Sequence, residues 1–159
     1  MELEVAQRVA TEVVERLSPY CQKQKIEVVG SIRRQKTFPH DIDIVLIPSD
    51  PWNLESEVLA LARPFQPKLS GEKLKRFDYK GAQVDLYYAS PETWATLLLI
   101  RTGSTENNIR LCSLAKKRGW HLAASGEGLF NEKGERIAGD TEQSIYEALQ
   151  LPYQHPEER

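Results

Sequence analysis

Cysteine is scarce. The 159 residues hold only Cys21 and Cys112, and two thiols can build neither a disulfide framework nor a thiolate zinc site. They read as buried free thiols in a reducing compartment. Long apolar runs are also missing. The stretch Leu97 to Ile100 falls far short of the roughly 18 residues a membrane span needs, so no membrane partner is expected. Met1-Glu2-Leu3-Glu4 is acidic and lacks the apolar segment of a secretory signal, which points to a cytoplasmic location. Nor does one charge dominate: 21 bases face 23 acids, for a net charge of −2, so no general field draws a polyanion. Repeats and low-complexity segments are absent. The composition that remains, 40% hydrophobic and 28% charged, is that of a soluble globular chain. Its length suits one domain or two small subdomains.

Charge is nevertheless unevenly placed. Residues 63–80 carry six bases against two acids, and residues 101–118 carry five against one. Two such islands can hold phosphates, although solvated surface charge explains either one alone. Val5, Val9, Val13 and Leu17 recur at helical spacing and predict a helix over residues 2–17. A short strand over residues 26–29, a strand over 41–47 and a helix over 51–63 follow. Residues 73–79 and 82–88 flank Lys80-Gly81 as a hairpin. Helices are expected from Pro91 to Ile100 and over 105–118. Strand pieces are expected near Leu122 and Leu129-Phe130, with Asn131-Glu132-Lys133-Gly134 as the turn between them. A last helix over 141–149 and a polar tail complete the chain. Trp52 and Trp94 read as packing residues, and His121 and His155 have no ligand spacing.

The chemistry-bearing residues sit on the strands. Asp41 and Asp43 share one strand face, about 7 Å apart along the strand, with Ile42, Ile44 and Leu46 on the other. Side-by-side carboxylates repel, and hard divalent cations with their preference for oxygen relieve that repulsion. A bare Asp-x-Asp is more readily read as an exposed acidic face. Gly30-Ser31 before Ile32-Arg33-Arg34 suits a triphosphate through backbone N–H groups, a hydroxyl and a guanidinium. A plain strand-to-helix turn would also explain it. Asp85 lies in an apolar strand and needs a partner, for which a metal is suited.

In order and spacing, Gly30-Ser31, Asp41-Ile42-Asp43 and Asp85 resemble the nucleotidyltransferase superfamily signature. Ile32-Arg33-Arg34, Thr102-Gly103-Ser104, Asn107-Asn108-Ile109-Arg110-Leu111, Gly128-Leu129-Phe130, Ile137-Ala138-Gly139 and Leu151-Pro152-Tyr153 narrow the resemblance to the family X DNA polymerases. It runs from about residue 26 to the C-terminus. The resemblance implies an α+β fold: a nucleotidyltransferase palm of mixed or antiparallel sheet and helices over residues 1–89. A small, mainly helical nucleotide-binding subdomain with a short β element follows over 90–159. It implies that Asp41 and Asp43 bind two Mg²⁺ ions, with Mn²⁺ able to substitute. Asp85 then binds the catalytic ion and accepts the primer 3′-OH proton. Gly30, Ser31, Arg34, His40, Thr102, Gly103 and Asn108 are implied nucleotide contacts, and Lys75, Arg76 and Arg110 are candidate DNA contacts.

The implied activity is template-directed addition of dNTP, with some use of rNTP, to a primer in primer-template or gapped DNA. Short-gap filling in repair by a monomer is the expected setting. The departures bear on selectivity. Ile100-Arg101 replaces an aromatic pair that helps reject ribonucleotides, Cys112 stands where larger members place an arginine, and His40 replaces a small residue. The resemblance is to a minimal form without the lyase, helix-hairpin-helix or phosphatase domains, and weak, salt-sensitive DNA binding is expected. Two other readings share parts of the pattern. One is a nucleotidyltransferase acting on protein, RNA or a small molecule; the other is a noncatalytic DNA-end-binding module.

Overall fold

Alternation of apolar and polar residues becomes alternation of buried and exposed faces in a central sheet. The computed structural model describes residues 1–159. Helix α1 (Leu3–Leu17) leads through a short 3-10 turn to β1 (Cys21–Val29), α2 (Gly30–Arg33), β2 (Asp41–Pro48) and α3 (Pro51–Ala62). Strands β3 (Leu69–Ser70), β4 (Leu74–Tyr79) and β5 (Ala82–Tyr88) complete a five-stranded sheet in the order β1-β2-β5-β4-β3. Only β2 and β5 pair in parallel. Then come α4 (Trp94–Thr102), α5 (Thr105–Lys117), β6 (His121–Ala123), β7 (Gly128–Phe130), β8 (Arg136–Ala138) and α6 (Glu142–Ala148). Strands β6, β7 and β8 form a separate three-stranded sheet. The fold is α+β, as expected, and no helix is long and apolar enough to cross a membrane.

One core lies between α1, α3 and the near face of the large sheet, where Ile42, Ile44, Leu46, Val84 and Leu86 are fully buried. A second core joins α4, α5, α6 and the small sheet through Leu99, Leu111, Leu129, Ile145 and Tyr146. Helix α4 serves two masters. Leu97 and Leu98 pack on Val29 and Val45 of the large sheet, while Leu99 and Ile100 enter the second core. A helix buried on opposite sides must be apolar nearly all round, which is why Ala95 to Ile100 carries no charge.

Several elements differ from the sequence expectation. Strand β1 starts at Cys21 rather than Ile26, because as the sheet edge it tolerates the polar run Gln22 to Lys25. Helix α4 starts at Trp94 rather than Pro91, after a turn in which the Thr93 N–H donates to the Ser90 carbonyl. The Asn131–Gly134 turn connects β7 to β8, a strand that periodicity did not reveal; a different turn joins β6 to β7. Trp52 is 82% exposed and packs in no core. Cys21 is buried and Cys112 half-buried, both free.

The C-terminus is not a loose tail. Glu142, 8% exposed, accepts two hydrogen bonds from Arg33 of α2 at 2.8 and 2.7 Å and one from Arg159 at 2.9 Å. Burial pushes the Glu142 carboxyl upward, but the two guanidinium groups outweigh it and hold the carboxyl below its ordinary range. Arg159 is fully buried at its side chain, against the Tyr146 and Tyr153 rings. Removing one partner of such a group strands the others without compensation. Glu142→Ala should therefore destabilise the protein by about 3–5 kcal/mol in urea unfolding; a loss below about 1 kcal/mol would show the pair to be solvated.

Candidate active site

The parallel pairing of β2 with β5 sets Asp43 beside Asp85 and Asp41 beside Gln83. Three carboxylates therefore share the sheet face away from α1 and α3. Asp85 is only 4% exposed. Burial, then the neighbouring charges of Asp85 and Asp41, push the Asp43 carboxyl from 3.8 up to about 6, against the opposing effects of Tyr87 and Arg101. The Tyr87 hydroxyl lies 3.5 Å from both Asp43 Oδ1 and Asp85 Oδ2. Burial and those two carboxylates push the phenol up to about 12, so it remains a proton donor between them. The Arg101 guanidinium stacks on the Tyr87 ring, 4.3 Å from its centre.

Asp85 has the partner its burial calls for, and in this structure the partner is a protein group. Arg76 on β4 donates from Nε to Oδ1 at 2.8 Å and from Nη2 to Oδ2 at 3.2 Å. The hairpin register makes this contact: Tyr79 opposite Ala82 places Arg76 opposite Asp85. As the side chains stand, no three acidic, histidine or cysteine groups converge to hold one ion. The donor set is nonetheless all oxygen, and like-charge repulsion at Asp43 is what a hard cation would relieve, so the residues fit Mg²⁺ or Mn²⁺.

Beside the carboxylates opens a cleft of about 330 Å³. Gly30, Ser31, Arg34 and His40 line one side with Asp41 and Asp43, and Thr102, Gly103 and Asn108 line the other with Ile100 and Arg101. Every nucleotide contact implied by the resemblance thus falls in one cavity. Gly30 has φ +65°, and a Cβ there would lie 2.3 Å from Asp43 Oδ2. The close approach that demands glycine is to this carboxylate. Gly103, at φ +73°, similarly leaves room for Arg34 Nη1, which a Cβ would meet at 3.0 Å.

Two consecutive arginines grip Thr102: Arg33 Nη1 donates to its hydroxyl at 2.7 Å and Arg34 Nη1 to its carbonyl at 2.6 Å. Arg34 Nε is buried without a hydrogen-bond partner, while the Arg34 side chain lines the cleft. Asn108 spends its amide N–H on the Ile100 carbonyl at 2.8 Å, leaving a buried, unpaired Oδ1. Lys75 lies on the opposite sheet face, buried against Glu55 at 3.0 Å and Ser70 at 3.2 Å. Arg110 of α5 pairs with Gln154. Neither reaches the carboxylates; Arg76 does. Tyr87, Arg33 and Glu142 were missed from sequence. Tyr87 could have been found, two residues after Asp85 and so on its face.

The fold is a five-stranded mixed sheet bearing the carboxylates and the cleft, followed by a small α/β unit. Residues 97–159 match the family model of the DNA polymerase beta thumb. The chain is 29% identical over 158 residues to the DNA polymerase/3′-5′ exonuclease PolX of Bacillus subtilis (strain 168), covering 97% of this chain and 27% of that protein. It therefore spans about a quarter of the curated relative's length. Two crystal structures of polymerase beta from Leishmania infantum share the fold, a ternary P/T complex and a ternary gap complex, each with TM-score 0.84. They are 20% and 19% identical and cover all of this chain, which covers 76% and 70% of theirs. The chain is thus similar in sequence to PolX and in fold to polymerase beta, and its second half matches the polymerase beta thumb.

The raised Asp43 carboxyl has a stability consequence whose sign follows from its direction. A carboxyl raised from 3.8 to about 6 on folding contributes stability fully present below about pH 4 and lost as pH rises through about 6. Asp43→Asn keeps the neutral state at every pH. In EDTA, its stability advantage over wild type should grow from nil near pH 3.5 to about 1–2 kcal/mol at about pH 7.5 in urea melts. A difference that does not vary with pH would show Asp43 to be well hydrated.

Proposed function

We propose that this protein is a template-directed DNA polymerase that adds nucleotides to a primer 3′-OH, with short-gap filling in repair as its setting. The observation that carries the reading is the placement of Asp41, Asp43 and Asp85 on one sheet face beside a single cleft. Facing each other across that cleft are Ser31-Arg34 and the Thr102-Gly103 turn. In this reading residues 1–89 act as the palm and 90–159 as the nucleotide-binding subdomain. Asp41, Asp43 and Asp85 are the metal-binding and catalytic residues. Bound Mg²⁺ or Mn²⁺ supplies acidification of the 3′-OH and neutralisation of the departing pyrophosphate.

The chain's own groups do the positioning. Ser31, the backbone at Gly30 and the Arg34 guanidinium hold the triphosphate, with His40 at the same wall. Thr102 and Gly103 form the wall against the sugar, and Asn108 lines the cleft on the side of the base. Asp85 receives the proton from the primer 3′-OH. Because the turn bearing Arg34 is tied to Thr102 before any nucleotide arrives, the two walls keep their spacing, which lowers the ordering cost of binding.

The test is incorporation of labelled dNTP into gapped duplex. Template-dependent, stepwise, salt-sensitive extension is expected, and Asp41→Asn, Asp43→Asn and Asp85→Asn should each abolish it with the fold retained by circular dichroism. Double changes should cost scarcely more than single ones, because the three act as a unit. Label on another acceptor, or DNA binding with no incorporation, would replace this reading.

Sugar selection follows from the wall. Arg101 stands where an aromatic ring would stack, and it is held on Tyr87, so the Gly103 backbone remains as the barrier to a 2′-OH. A backbone barrier without a ring gives a dNTP preference of about 10- to 100-fold, about 1.4–2.8 kcal/mol. Measured kcat/KM for dGTP and rGTP opposite cytosine decides it; a ratio of several thousand would place the selection elsewhere.

A further inference from the structure

We propose that Arg76 is an internal cation that occupies Asp85 in the resting protein and must be released before a divalent cation can bind Asp85. The inference rests on the polymerase reading and deepens it by assigning a control to the metal site. Arg76 engages both oxygens of a carboxylate that water scarcely reaches, at 2.8 and 3.2 Å. This fork is built into the hairpin, since the Lys80-Gly81 turn sets the register that opposes the two residues. Asp43, one strand over, has no arginine on it and keeps only the weak Tyr87 contact at 3.5 Å. The three carboxylates do not converge as they stand. One of them is thus held by a protein cation while the other two remain available.

A forked guanidinium takes up the lone pairs a metal would use, and two cations cannot share them without strong repulsion. Binding of a divalent ion at Asp85 is therefore an exchange, and the free energy of the Arg76 contact is subtracted from the ion's affinity. Release needs only a side-chain rotation. The Arg76 side chain is 33% exposed, so its head can turn to water without disturbing β4. Arg33 and Arg159 differ: their side chains are 18% and 0% exposed, and each is held by Glu142 and a further residue. Of the arginines paired to buried carboxylates, Arg76 is the one free to leave.

A strut that merely orients Asp85 for the metal would have the same contacts, and the two roles predict opposite signs. The full chain is titrated with Mn²⁺ alone, and free Mn²⁺ is read by electron paramagnetic resonance. If Arg76 competes with the ion, Arg76→Gln binds Mn²⁺ about tenfold or more tightly than wild type, and Arg76→Lys falls between, because lysine keeps the charge but not the fork. Unchanged or weaker Mn²⁺ binding by Arg76→Gln overturns the proposal. Should Arg76→Gln fail to fold, the wild-type Arg76 Nε–H resonance is followed by ¹⁵N NMR during Mg²⁺ titration. It must move with the binding midpoint, and a resonance that stays fixed to saturation overturns the proposal. If wild type extends primers yet Arg76→Gln gains no affinity, the exchange alone falls. If no form binds Mn²⁺ and none extends primers, the polymerase reading falls with it.

Discussion

Repulsion among three carboxylates on one sheet face is the constraint around which this molecule is arranged. Parallel pairing of β2 and β5 brings Asp43 and Asp85 level, and water is largely excluded from Asp85. Left alone, such a group would force protonation or unfolding. The surrounding residues each answer part of that demand. Arg76 neutralises Asp85, the Tyr87 hydroxyl lies between the two acids, and Arg101 stacked on Tyr87 adds positive charge nearby. What the protein groups leave uncompensated shows in the raised Asp43 carboxyl.

The same constraint reaches the backbone. Gly30 is required because the strand-to-helix turn passes against Asp43, so the acidic site and the Gly30-Ser31 turn are one construction. The turn is anchored on its far side as well. Arg33 and Arg34 grip Thr102, and Arg33 continues to Glu142, whose other partner is the last residue of the chain. The two walls of the cleft are thereby joined through largely buried polar contacts. The apolar counterpart is α4, which packs on the large sheet with Leu97 and Leu98 and fills the second core with Leu99 and Ile100.

Much of this was legible before any coordinates. Alternation in residues 41–47 assigned Asp41 and Asp43 to the face opposite Ile42 and Ile44, and both faces stand as read. The Lys80-Gly81 hairpin not only formed but carried a contact that could have been deduced from its register, Arg76 on Asp85. The family pattern collected residues from Gly30 to Asn108 that line one cleft. Short strands fared worse. Strand β8, with three residues, has too few positions to show a period, and the polar start of β1 is strand only because it lies at an edge. Trp52 looked like a packing residue by type, yet it sits on the outer side of α3.

Local chemistry, then, determined which residues form strands, where the turns fall, and which side chains share a face, because period and turn geometry act over a few residues. Only tertiary structure decided that β5 would lie parallel to β2, so that Asp85 stands beside Asp43. It alone set Glu142 against Arg33, 109 positions away. It alone turned Lys75 toward Glu55 and left Arg76 with the carboxylates. Pairings of that kind depend on which apolar faces can be buried together across the whole chain. No short-range pattern encodes them, because the loops that close them are indifferent to what their ends will meet.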